Sequence, residues 1–174
     1  MTKRLYYSDA YLTKFEASVV DVMVHHDLPA LVLDASAFYP TSGGQPFDTG
    51  TLTIAESGQT LTVIDTVAET GGPVLHVVEP ETGHNIDVIE PGTSITGKID
   101  WNRRYDHMQQ HSSQHLLSQA FAELFGYETL SVHFGTEYST IDIHESGSET
   151  RGKANLLTDA QLAQLENYAN DVVY

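Results

Sequence analysis

The chain has 174 residues, 40% of them hydrophobic, no cysteine, and 24 acidic against 8 basic side chains for a formal charge of −16. That length and apolar content imply a folded core and exclude a disordered chain, while the cysteine count excludes disulfides. The acidity excludes general adhesion to nucleic acid, DNA included, so any RNA contact needs a local basic patch, for which Lys98, Arg103 and Arg104 are the compact candidates.

The N-terminal MTKRLYYSDAYLTKFEA lacks the apolar core of a secretory signal, and no apolar run reaches the ~18 residues of a membrane span. A cytoplasmic protein without a membrane partner is expected. Residues 1 to about 100 then read as β structure. FEASVVDVMV (15–24), ALVLDAS (30–36), GTLTIAE (50–56), QTLTVIDTVAE (59–69), PVLHVVE (73–79) and TSITGKIDW (93–101) are short runs rich in Val, Ile and Thr. Turn residues separate them at Asp27–Leu28–Pro29, Ser57–Gly58, Gly71–Gly72–Pro73 and Glu90–Pro91–Gly92. About six short strands at regular spacing predict a small antiparallel barrel.

Near Trp101 the period changes. Met108, Leu116, Leu117, Ala120, Phe121, Leu124 and Phe125 recur at helical spacing, which predicts a helix over 103–125, capped by Asp100 or Asn102 and ended by Gly126. TLSVHFG (129–135) and YSTIDIHE (138–145) read as a pair of strands, SGSETRGKAN (146–155) as an exposed loop, and 158–174 as a helix opened by Thr158 and Gln161 in capping-box spacing. The fold class expected is α+β: a small N-terminal barrel over 1–98, then a core over 99–174 in which a helix packs on a mostly antiparallel sheet.

DHMQQHSSQHLLSQAF (106–121) carries His107, His111 and His115 at intervals of four. On a helix such residues are about 40° apart around the axis and one turn apart along it, so His111 and His115 can share one cation. Zinc suits imidazole but needs three or four protein groups. Ser112 stands where a metalloprotease helix needs its glutamate base, which removes that reading. Polar histidines on a solvated helix face explain the spacing equally well. His25, His26, His76, His84 and His144 are read as structural, and His133 as a candidate cleft residue.

A second segment, DASAFYPTSGGQPFDTG (34–50), bears on the choice. FYPTSGGQPFDTG resembles the glycine-rich motif of the stand-alone alanyl-tRNA editing proteins, relatives of the editing domain of alanyl-tRNA synthetase. WNRRYDHMQQHSSQHLLSQAF (101–121) resembles their zinc helix, and SVHFGTEYSTIDI (131–143) the strand pair that follows; the three occur in the family's order. The resemblance implies a barrel carrying the glycine-rich motif, followed by an α/β editing core that binds zinc. It implies hydrolysis of the ester joining serine or glycine to the tRNA for alanine. Carried onto this sequence, the metal ligands fall on His111 and His115 and not on His107. Gln114 lies between the ligands as a candidate catalytic residue facing substrate. Gly43, Gly44, Gln45, Arg103 and Arg104 are candidates for substrate or tRNA contact. The family's remaining ligands sit in a CxxxH motif downstream of the helix that ENYANDVVY (166–174) resembles. The chain as given is therefore expected to carry half the ligand set and to be inactive alone. The alternative expectation is a noncatalytic tRNA- or protein-binding module that retains the fold.

Overall fold

A computed structural model describes residues 1–68, 70–80, 86, 89–135, 138–145 and 157–173; the loop expected at 146–155 and His84 lie outside them. The described chain forms two compact units, Met1–Asp106 and His107–Tyr174.

In the first unit, β2 (Lys14–His25), β3 (Leu28–Leu33), β5 (Gly50–Ile54), β6 (Thr60–Ala68), β7 (Val74–Val78) and β8 (Ser94–Ile99) close an antiparallel barrel in the order β2-β3-β7-β6-β5-β8. Closure leaves no unpaired edge in these strands. Alternation places Phe15 and Val19 of β2, Leu52 and Ile54 of β5, Leu61 and Val63 of β6 and Ile95 and Ile99 of β8 in one core with Leu31, Leu33 and Phe38. At Gly50 an added Cβ would lie 2.2 Å from the Lys98 carbonyl oxygen, so only glycine lets β5 approach β8 here. A short parallel bridge, β1 (Lys3–Arg4) on β4 (Ala35–Ser36), stands outside the barrel.

The first hairpin departs from expectation. Its turn is His26 and Asp27, both at positive φ (48° and 65°), and His25 pairs with Leu28. This is the two-residue geometry whose twist matches its strands. Pro29 sits inside β3 opposite Val24, before the pairing with β7 begins at Ala30, where its missing N–H breaks no ladder.

His76 of β7 is fully buried. Its Nδ1 lies 3.0 Å from the Leu31 carbonyl oxygen, which only accepts, so Nδ1 carries the proton and Nε2 accepts from the Ser36 hydroxyl at 2.7 Å. Burial holds its pKa down to about 4. The structural reading of this histidine is the one observed.

Helix α1 (Trp101–Phe125) begins with Asp100 as N-cap, its Oδ1 accepting from the Arg103 N–H at 3.3 Å, and stops at Gly126, whose φ is +68°. Its first turn secures the irregular segment between β4 and β5. Arg104, 3% exposed, donates from Nε to both carboxylate oxygens of the fully buried Asp48 at 2.9 Å. Nη1 donates to the Ala10 carbonyl oxygen at 2.9 Å, and Nη2 to that of Ala37 at 2.7 Å and to Asp48. Asp48 also accepts from the Tyr39 N–H at 2.6 Å.

In the second unit, β9 (Tyr127–His133) pairs with β10 (Thr140–Glu145) in an antiparallel hairpin with a bulge between Asp142 and Ile143. The capping box at α2 (Asp159–Val173) is present: Gln161 N–H donates to Thr158 Oγ1 at 3.3 Å, and Thr158 N–H to Gln161 Oε1 at 3.0 Å. Ala120, Phe121 and Leu165 form the buried centre, flanked by Leu117, Leu124, Ile141 and Ile143.

Two outcomes follow from these buried polar groups. Arg104→Met leaves the Asp48 carboxylate buried and unpaired, so it lowers unfolding free energy by about 3–5 kcal/mol. Arg103→Met, on the adjoining and more exposed position, costs about 1 kcal/mol or less; equal losses in urea titration would contradict the assignment. For His76, the unfolded imidazole binds its proton near pH 6.5 while the folded one resists until about 4. Its contribution is complete above pH 6.5 and is lost as pH falls toward 4, amounting to on the order of 3 kcal/mol. His76→Gln should flatten the dependence of stability on pH across that window, and an unchanged slope would refute the buried neutral imidazole.

Candidate functional site

The glycine-rich segment makes a tight turn. Ser42 and Gln45 exchange backbone hydrogen bonds of 3.1 and 3.0 Å around Gly43 and Gly44, both at positive φ (59° and 82°). A Cβ on Gly43 would meet nothing within 4 Å, so the turn needs glycine for its backbone angle and not for want of room. Gly43 and Gly44 are exposed, whereas Gln45 is buried. Beside the turn, Tyr39, Thr41 and Ser42 line a pocket of about 180 Å³ with Arg4, Tyr6 and Tyr7. The Tyr6 hydroxyl is buried without a hydrogen-bond partner among the described residues, and burial pushes its pKa up to about 12. Nothing in the sequence marked Arg4 or Tyr6, because the opposite wall of the pocket, Tyr39, Thr41 and Ser42, comes from more than thirty positions away.

The two arginines expected to contact RNA have different surroundings. Arg104 is enclosed by Asp48 and two carbonyl groups, as described above. Arg103 is half-buried, donates Nε–H to the Phe47 carbonyl oxygen at 3.0 Å and stacks its guanidinium 5.1 Å from the Phe47 ring centre. As placed, Gly43, Gly44 and Arg103 retain surface, while Gln45 and Arg104 are inside the fold.

On α1 the histidines separate by burial. His107 is 7% exposed, His111 intermediate and His115 exposed. The Nε2 atoms of His111 and His115 lie 3.0 Å apart, with rings stacked at a 4.9 Å centroid distance and Phe134 5.9 Å from His111. Tetrahedral zinc, with Zn–N near 2.0–2.1 Å, holds two imidazole nitrogens about 3.3 Å apart, so this pair has the spacing of half a zinc site. Among the described residues no group of three or more His, Cys, Asp or Glu side chains is placed to hold a metal. Gln114 Nε2 donates to Ser118 Oγ at 2.6 Å, and the same oxygen accepts from Thr129 Oγ1 at 2.8 Å. Ser118 and Thr129 thus orient the glutamine amide, a role their positions in the sequence did not signal. His133 is exposed at the end of β9, opposite Thr140.

Comparison with known proteins adds to this geometry. A family model described as tRNA synthetases class II (A) matches residues 3–103. The chain is 31% identical over 173 residues to the alanyl-tRNA editing protein AlaX-M of Methanosarcina mazei, which covers 99% of this chain and 64% of that protein. It is 37% identical over 142 residues to AlaX-M of Methanosarcina acetivorans, covering 82% and 56%. The alanine–tRNA ligase of Pyrobaculum calidifontis is 37% identical over 174 residues, 99% of this chain and 17% of the ligase. The chain therefore spans less than two thirds of the length of the two editing proteins. With the barrel, the glycine-rich turn and the histidine helix in place, the match makes the chain a member of the class II (A) tRNA synthetase family, related to its alanyl-tRNA editing proteins.

Proposed function

We propose that the protein acts in editing of the tRNA for alanine, as a zinc-dependent hydrolase of the ester that holds serine or glycine on that tRNA. The observation that carries this reading is the convergence of His111 Nε2 and His115 Nε2 on one point of α1. Two imidazole nitrogens 3.0 Å apart share a hydrogen bond, and a cation placed between them would take the place of its proton. When bound there, zinc supplies Lewis-acid polarisation of a carbonyl or a water oxygen. The chain's own residues supply position: His111 and His115 hold the ion, and Gln114, its amide oriented by Ser118 and Thr129, is the residue proposed to face the substrate. Gly43, Gly44 and Arg103 are the proposed tRNA contacts with accessible surface, and Gln45 and Arg104 shape the segment that bears them. Discrimination against alanine by a hydroxyl contact to serine fits a polar site, which rejects an analogue lacking the group it binds.

A second reading is favoured by one observation. Zinc sites need at least three protein groups, and the described residues bring two together. On that basis the chain acts as a tRNA-binding module that holds zinc weakly. Equilibrium dialysis and a deacylation assay on seryl-tRNA for alanine separate the two. Zinc retained against a mild chelator with turnover above the uncatalysed rate is the result expected of the hydrolase, and His111→Ala or His115→Ala abolishes both; tRNA binding with loss of zinc and no turnover favours the binding module. Stoichiometric retained zinc with turnover would show that these residues complete the ligand set. Failure to bind the tRNA would overturn both readings.

A further inference from the structure

The first unit carries an aromatic surface that the editing site does not use. Trp101, the chain's single tryptophan, packs between Tyr11 and Tyr105, with centroid distances of 5.6 and 5.5 Å and interplanar angles of 44° and 30°. Tyr11 is 64% exposed and Tyr105 44%, with Trp101 half-buried between them. The three rings are tilted against one another, and those of Tyr11 and Tyr105 keep much of their surface in solvent. The ladder that brings them together also brings two cations together. Lys14 on β2 lies directly opposite Lys98 on β8, and both point outward and are exposed. Like charges directly opposite one another destabilise a sheet. Among the described residues no ion pair relieves either lysine.

The aromatic and cationic groups are neighbours. The Ile99 N–H donates to the Thr13 carbonyl oxygen at 2.9 Å, continuing the Lys14–Lys98 register toward Tyr11 and Trp101. Each lysine lies three positions along the chain from its ring, so their Cα atoms are at most about 10 Å apart. Asp9 and Asp100 lie near the rings and keep their negative charge, Asp9 Oδ1 accepting from the Tyr11 N–H and Asp100 Oδ1 from the Arg103 N–H, so they bound the positive region on that side. Glu16, two residues along β2 from Lys14 and also exposed, limits the positive region on one side.

We propose that Tyr11, Trp101 and Tyr105 form a stacking platform for unpaired bases of an RNA strand whose phosphates lie on Lys14 and Lys98. Base stacking on aromatic rings is sequence-tolerant and works only on bases free of a duplex, and adjacent lysines track a single backbone. The platform deepens the tRNA reading by naming the surface that meets an unpaired stretch of that partner, and it rests on that reading only for the strand's identity.

Trp101 is also the reporter. A short single-stranded oligoribonucleotide without an aminoacyl ester, titrated at low salt, should quench its emission, and a duplex of equal length should do so far less. Tyr11→Ala, which leaves the reporter in place, should weaken binding roughly five- to hundredfold. Lys14→Glu with Lys98→Glu should lower affinity and make the slope of log affinity against log salt shallower by about 1.4, from ~0.7 per phosphate contact on a single strand. Circular dichroism establishes that these exposed variants keep the fold. Equal quenching by duplex, or binding unchanged by Tyr11→Ala and the lysine reversals, overturns the platform. Emission that ignores RNA but shifts with protein concentration marks a self-association face and overturns it too. Binding of the tRNA for alanine with silent Trp101 removes the platform and leaves the tRNA reading standing.

Discussion

The buried pair between Arg104 and Asp48 is the constraint on which the first unit's irregular part depends. The segment from Ala37 to Thr49 has two phenyl rings, two prolines and two glycines and forms no ladder of its own beyond the Ser42–Gln45 bridge. Its backbone groups need partners. Asp48 provides one for the Tyr39 N–H, and Arg104 provides others for the Ala37 and Ala10 carbonyls. A desolvated ion pair is a poor source of net stability, because the desolvation of two charges offsets their attraction. Its value here is geometric. The fork of donors fixes three chain segments at once, which one apolar side chain cannot do.

The same helix turn explains why adjacent arginines have different environments. Successive helical residues point about 100° apart, so Arg103 and Arg104 cannot share one face. One enters the fold to meet Asp48, while the other lies along the Phe47 ring and keeps part of its surface. In the sequence the pair reads as a basic patch. In the fold it is one structural cation and one surface cation.

Much of the architecture was legible because period and burial coincide. The alternation in β5, β6 and β8, the change to helical spacing after Trp101, the stop at Gly126 and the Thr158–Gln161 capping box all depend on residues within a few positions of one another. The hairpin at His26–Asp27 was hidden because neither residue is glycine or asparagine, and Pro29 drew the expected turn onto Asp27–Leu28–Pro29. The β1–β4 bridge, the Asp48–Arg104 pair and the pocket beside Tyr6 were hidden for another reason. Each joins residues 31 or more positions apart, and no local pattern encodes the partner. At the site, the spacing of His111 and His115 was readable from the helix period alone. The orientation of Gln114 was not, because Thr129 reaches Ser118 from the next strand.

Charge then decides where an RNA can be held. At a formal −16 the chain as a whole repels a polyanion, but over distances beyond about 8 Å physiological salt screens that repulsion. Contacts within that distance depend on the local side chains. Lys3, Arg4, Lys14, Lys98, Arg103 and Arg104 all belong to the first unit, and the described residues of the second include no lysine or arginine. With Arg104 neutralised by Asp48, Arg4 lies by Tyr7 and Arg103 by the Phe47 ring, while Lys14 and Lys98 pair three positions along the chain from Tyr11 and Trp101. Phosphate contacts alone would bind any nucleic acid, duplex or single-stranded. Rings next to the cations favour strands with free bases.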